Sequence, residues 1–229
     1  MTVSGQLGEL CHGRGDGLRD FLQRGGNRWL ALTVGVATLG SFAYGLGMGG
    51  ARSLTMGWMV GVKLPLVIFL TLMVNAVLNG LLAGALGSGL GFRQTLRLLV
   101  LPFGLMGTIL LGLAPVAWFI AWHAPAAAGD DYKIWHPAFL LMHTFCVALA
   151  GIWAHRQILP LARTLTVTPA RGTLVFLAWL AGNLFVGAQL TWIFRPYFCS
   201  PGLPVQFLRD HPLEGNFYET VLHSIKALF

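Results

Sequence analysis

The sequence predicts an all-α polytopic membrane protein, a bundle of about five transmembrane helices with a short amphipathic helix at its C-terminus. Three observations carry this. Of 229 residues, 55% are hydrophobic and only 10% are charged, well under the roughly 25% charged usage of a soluble domain. The mean hydropathy is +0.69, more apolar surface than a water-soluble exterior can cover. The apolar residues also gather into blocks of about 20, the length a helix needs to cross ~30 Å of hydrocarbon at about 1.5 Å per residue.

The blocks are residues 29–49, 56–82, 98–122, 137–154 and 173–194. They divide the chain into a polar N-terminal segment (1–28), a five-helix transmembrane domain (29–194) and an exterior tail (195–229). Residues 1–28 are polar, Gly-rich and charged, without the early apolar core of a cleavable signal peptide, so 29–49 reads as a retained span. Pro65, Pro102 and Pro115 fall inside blocks and predict kinks.

The formal charge of +7 raises the possibility of nucleic acid, but Lys and Arg sit mainly in the gaps between blocks. Arg14, Arg19, Arg24, Arg28, Arg93, Arg97, Arg156, Arg163 and Arg171 fall on one side, with Arg52, Lys133, Arg195, Arg209 and Lys226 on the other. This asymmetry predicts a cytoplasmic N-terminus and an exterior C-terminus. The expected partners are the lipid bilayer and other membrane subunits or copies of this chain, with no nucleic acid.

Glycine recurs at small-xxx-small spacing in Gly45/Gly49, Gly57/Gly61, Gly80/Gly84 and Gly87/Gly91, which predicts close helix–helix contact.

Lys63 is the charged residue deep in a block, and an ionisable group there is a functional candidate by default. It lies about 10 Å from the helix start, within snorkelling reach of the surface. Asn75 and Asn79, one turn apart, share its helix, and Asn183 and Gln189 sit in the fifth block. These five are candidates for a polar path or for cross-helix hydrogen bonds.

Trp192, Arg195 and Pro196 close the last span as an interfacial anchor and helix stop. Beyond them the tail is aromatic-rich, and Phe217, Val221, Leu222, Ile225 and Leu228 at helical spacing predict an amphipathic helix over 216–229. Trp192, Arg195, Pro196, Asn216 and Tyr218 are the tail-anchoring or partner-binding candidates. Arg195 leads because its fork can bond several carbonyls at once.

No metal or cofactor is expected. Cys11, Cys146 and Cys199 are too scattered for a disulfide framework or a paired-Cys zinc site. His136 and His143 share a face but lie about 10 Å apart, too far to hold one ion. Asp130, Asp131, His123, His136 and His211 form the remaining possibility, an outer-face site. Hydrolase, zinc-helix and phosphate-loop motifs are missing from the sequence.

Gln189, Trp192, Arg195-Pro196-Tyr197, Cys199-Ser200-Pro201 and Asn216-Phe217-Tyr218-Glu219 resemble a family of bacterial multi-pass proteins. Its stretch reads Gln-x-x-Trp-x-x-Arg-Pro-Phe, then Gly-Ser-Pro, then Asn-Phe-Tyr-Glu. Lys63-Leu-Pro-Leu, Asn79-Gly-Leu-Leu and Phe92-Arg-Gln-Thr-Leu extend the resemblance across most of residues 60–220. Tyr197 and Cys199 stand where that family has phenylalanine and glycine. Hydropathy and proline placement also resemble the five-span Yip-type proteins of trafficking. The resemblance implies a fold and topology and no activity.

The expected function is therefore a non-enzymatic accessory, assembly or scaffold subunit working through its tail. The alternatives are a small homo-oligomeric channel or transporter lined by the second helix, and a membrane enzyme with the outer-face histidine or metal site.

Overall fold

The computed structural model describes residues 2–13, 15–125, 131–198 and 204–228, excluding the side chains of 131–134 and 228. Among them are eight helices and no strand. They are α1 (Val3–His12), α2 (Asp16–Arg24), α3 (Asn27–Gly50), α4 (Leu54–Ala85), α5 (Phe92–Trp122), α6 (Asp131–Leu165), α7 (Pro169–Ile193) and α8 (Phe217–Leu228).

Five helices, α3 to α7, are long and apolar enough to cross a membrane, as the sequence predicts. Three run past the hydropathy blocks: α4, α5 and α6 contain 32, 31 and 35 residues. At about 1.5 Å per residue these helices exceed ~30 Å of hydrocarbon, so their ends project into the headgroup layer. A hydropathy block registers the hydrocarbon layer and stops where polar residues are tolerated again. Ser53 and Thr168 set two starts, their hydroxyls accepting from the amides of Met56 and Arg171 at 3.1 and 3.3 Å.

The tightest packing is at α3, which lies between α4 and α5. A Cβ on Gly40 would collide with the Gly107 carbonyl, and one on Gly107 would approach the Val36 carbonyl at 2.5 Å. Backbones this close gain dispersion contact along their length, the force available where lipid is as apolar as protein. Gly45 and Gly49 meet Val60 and Met56 at the α3–α4 contact, which Gly57 and Gly61 line from the other side. Two expected pairs serve otherwise. Gly84 has no neighbour within 4 Å, and Gly87, at φ +58°, turns the chain between α4 and α5. The Gly40–Gly107 crossing lies outside the pairs singled out in the sequence.

The polar N-terminal segment carries α1 and α2, neither of which the sequence analysis anticipated. Leu18, Phe21 and Leu22 recur at i, i+3 and i+4 and are buried, while Arg19, Asp20 and Arg24 stay outside. Phe21 stacks on Trp29 with centroids 6.1 Å apart. Arg97 of α5 donates to the Leu22 and Gln23 carbonyls at 3.3 and 2.8 Å, satisfying the end of α2. α7 packs on α4 and α6, and α8 rests on α6 and α7. The expected C-terminal amphipathic helix is thus present over Phe217–Leu228.

Candidate functional site

The sequence candidates of α4 gather along its seam with α7 and the tail. Asn75 and Asn79 are one turn apart and buried. Asn75 Nδ2 donates to the Thr71 carbonyl of its own helix at 3.0 Å, and Trp179 Nε1 of α7 donates to the Asn79 carbonyl at 3.3 Å. A Cβ on Gly182 of α7 would stand 3.0 Å from Asn75 Oδ1 and 3.7 Å from Asn79 Oδ1, so both amides face α7 of their own chain.

Asn183 of α7 turns instead toward α6. His155 Nδ1 lies 2.8 Å from the Gly151 carbonyl, which can only accept, so that nitrogen carries the proton. Nε2 is then the acceptor for Asn183 Nδ2 at 2.9 Å. Gln189 is half-buried on α7, and its side chain makes no hydrogen bond among the described residues.

Lys63 is fully buried, and its Nζ donates to the Pro196 carbonyl at 2.7 Å. The same ammonium lies 4.9 Å from the Phe207 ring centroid and 5.8 Å from that of Tyr197. Ring quadrupoles and one carbonyl thus replace its water. Lys63 ties the tail to the bundle rather than reaching a headgroup.

Arg195 ties the tail to itself. Nη1 donates to the Trp192 and Pro212 carbonyls at 2.9 and 3.0 Å, and Nη2 to those of His211 and Glu214 at 3.3 and 2.8 Å. Its guanidinium lies 3.8 Å over the Trp192 ring, while Trp192 Nε1 donates to the Glu214 carbonyl at 2.9 Å. Burial, and then the charge of Arg209, lowers the Arg195 pKa from its ordinary value.

Gly215, at φ +71°, passes beneath Trp192, where a Cβ would stand 3.0 Å from the ring. Asn216 Oδ1 then accepts from the Glu219 amide at 2.9 Å, capping α8. Tyr218 stacks on Phe185 of α7 at 6.4 Å. Cys199, Ser200 and Pro201 lie outside the described residues.

The possible outer-face metal set is not brought together among the described residues, which hold no cluster of three or more His, Cys, Asp or Glu. His123 Nδ1 turns back to the Phe119 carbonyl at 2.8 Å, and the His136 ring meets Phe198. His211 lies 3.9 Å from Glu214. Asp130 and the side chain of Asp131 lie outside the described residues.

Comparison of the chain with protein-family models, curated proteins and solved structures found no match in any of the three.

Two buried pairs each contain one residue that the sequence did not single out, Tyr44 beside His143 and His155 beside Asn183. Tyr44 of α3 is hydrogen-bonded through its hydroxyl to His143 Nδ1 of α6 at 2.7 Å, and the His143 ring meets the Phe139 edge at 4.1 Å. His155 falls one residue beyond the fourth hydropathy block. The available signal was the cost of Tyr and His inside apolar spans, each of which needs a partner. Below the tail, a cavity of about 290 Å³ opens among α4, α5, α6 and α7.

Proposed function

We propose that this chain is a non-enzymatic accessory or assembly subunit of a bacterial inner-membrane complex, with its N-terminus cytoplasmic and its tail outside, and that the tail is what its partner subunit meets. The observation that carries this reading is the double fastening of the tail, through Arg195 to its own carbonyls and through Lys63 to the bundle. A segment tied in this way offers a partner a preformed shape and loses little entropy on binding.

Leu213, 77% exposed, and Phe207 and Leu208, each 40% exposed, supply apolar side chains for that contact. A homo-oligomeric channel lined by α4 asks Lys63 to face a pore shared among copies. Its bond to Pro196 of the same chain supports the accessory reading instead.

The test is gentle extraction from the native membrane, with the mass and the co-purifying chains determined. A stoichiometric complex with another membrane chain, broken by Leu213→Arg while the thermal unfolding of this chain stays unchanged, is the expected result. A symmetric homo-oligomer that conducts ions in planar bilayers would replace this reading with the channel.

A further inference from the structure

We infer that the cavity among α4, α5, α6 and α7 is a binding site for one uncharged hydrocarbon chain of a membrane-dissolved lipid. The inference is independent of the accessory reading. Leu64, Val67 and Ile68 of α4, Phe103 and Met106 of α5, and Val147 and Ala148 of α6 make a lining that is almost wholly apolar, with no Lys, Arg, Asp or Glu in it.

The two histidines among the lining residues, His143 and His155, are each already hydrogen-bonded to a neutral group. An anionic headgroup would find no counter-charge inside, so the part of a ligand that enters is neutral.

Shape narrows the class further. Lining residues on α6 run from His143 to His155, twelve positions or about 18 Å of helix, and on α7 from Leu180 to Thr191, about 16 Å. The lining thus extends over about half of the ~30 Å hydrocarbon thickness. A lining drawn out in this way along two helices suits an extended chain. Small residues create the width: Ala148 and Gly151 on one wall, Gly187 and Ala188 on the other.

The slot also has an entrance. Leu184 and Tyr218 line it and are 39% and 49% exposed, so it reaches the apolar surface between α7 and α8. A chain can therefore enter sideways from the bilayer while its headgroup stays outside. Thr71, His143 and Asn183 line the slot and carry buried polar atoms without hydrogen-bond partners. Such atoms would pair with the hydroxyl of a neutral prenyl alcohol, a group that an acyl chain lacks. The apolar walls between those atoms forfeit dispersion contacts when nothing lies against them.

Two sources share this chemistry, a phospholipid acyl chain and a free prenyl lipid. The test uses the full chain in vesicles of dioleoyl phosphatidylcholine. The vesicles carry either a phosphatidylcholine with a diazirine in its acyl chain or a diazirine-bearing farnesol, and adducts are mapped by peptide mass spectrometry. We expect adducts at Phe103 and Met106, which are buried on the α5 wall, beside annular adducts at exposed Leu81.

Gly187→Leu, whose new side chain would start 3.7 Å from Thr71, fills the slot. It should cut the Phe103 and Met106 adducts at least tenfold and leave the Leu81 adduct unchanged. Gly151→Val, beginning 3.8 Å from Met106 Sδ, is the second filling variant should the first unfold. Labelling of the α5 wall by the phospholipid probe identifies the source as bilayer acyl chains, and labelling by farnesol alone identifies a free neutral lipid. Adducts confined to Leu81 and other annular positions, or interior adducts that survive both filling variants, would overturn the inference.

Discussion

Lys63 and Pro196 stand 133 positions apart, yet the ammonium of one and the carbonyl oxygen of the other meet at 2.7 Å in a buried contact. A cation inside a span is tolerated where fixed dipoles replace its hydration, and here the chain's own tail provides them. The tail's attachment can be tested by removing that cation.

Lys63→Met should loosen the tail while leaving the five spans in place. Hydrogen bonds from charged donors contribute about 1.5–3 kcal/mol, and the lower figure alone is roughly a tenfold change in the open population. Trypsin cleavage after Arg209 should therefore accelerate about tenfold in detergent. An unchanged rate would mean that Arg195 and the aromatic contacts hold the tail unaided.

Arg195→Lys keeps the charge and loses the fork. An ammonium cannot serve four carbonyls contributed by Trp192, His211, Pro212 and Glu214. A loss of about 2 kcal/mol of local stability is expected, a modest figure because two of these bonds are solvent-exposed. Hydrogen exchange in residues 211–216 should speed up roughly thirtyfold. Arg93→Lys at an exposed position should change nothing.

Two glycines of α3 should respond oppositely to alanine. Gly40→Ala places a methyl on the Gly107 carbonyl of α5, backbone that cannot swing aside, and should destabilise the bundle by about 3 kcal/mol or prevent its assembly. Gly35 has nothing within 4 Å, so Gly35→Ala should be neutral or slightly stabilising. Denaturation in mixed SDS micelles reads both. Equal effects would show that the α3–α5 contact is not set by close backbone approach.

Tyr44→Phe removes the hydroxyl from His143 Nδ1 and leaves that buried nitrogen unsatisfied, at a cost of about 1–2 kcal/mol. His143→Phe should harm less in the Tyr44→Phe background than alone, with a coupling near 1 kcal/mol in a double-mutant cycle. Additive effects would mean that the two side chains are neighbours without an energetic bond.

The five spans were legible because hydrocarbon imposes them. A segment crossing it must be about 20 residues long, apolar, and helical enough to satisfy its own backbone, and each condition is local in the chain. The amphipathic α8 was legible for a similar reason, since Phe217, Val221, Leu222 and Ile225 repeat with the helical period. The same periodicity was present in Leu18, Phe21 and Leu22. It was obscured by the surrounding charge and acquires meaning only when α5 offers those side chains a surface.

What the sequence by itself determined is the set of elements and the list of polar residues that would need partners inside them. Tertiary structure alone decided the pairing. Lys63 meets Pro196, Tyr44 meets His143 across 99 positions, and His155 meets Asn183 across 28. The cost of an unpaired polar group in an apolar medium follows from composition, whereas its partner depends on which helix faces come together. In this bundle the tightest of those contacts is set by close backbone approach at Gly40 and Gly107, a property of two helices that neither carries alone.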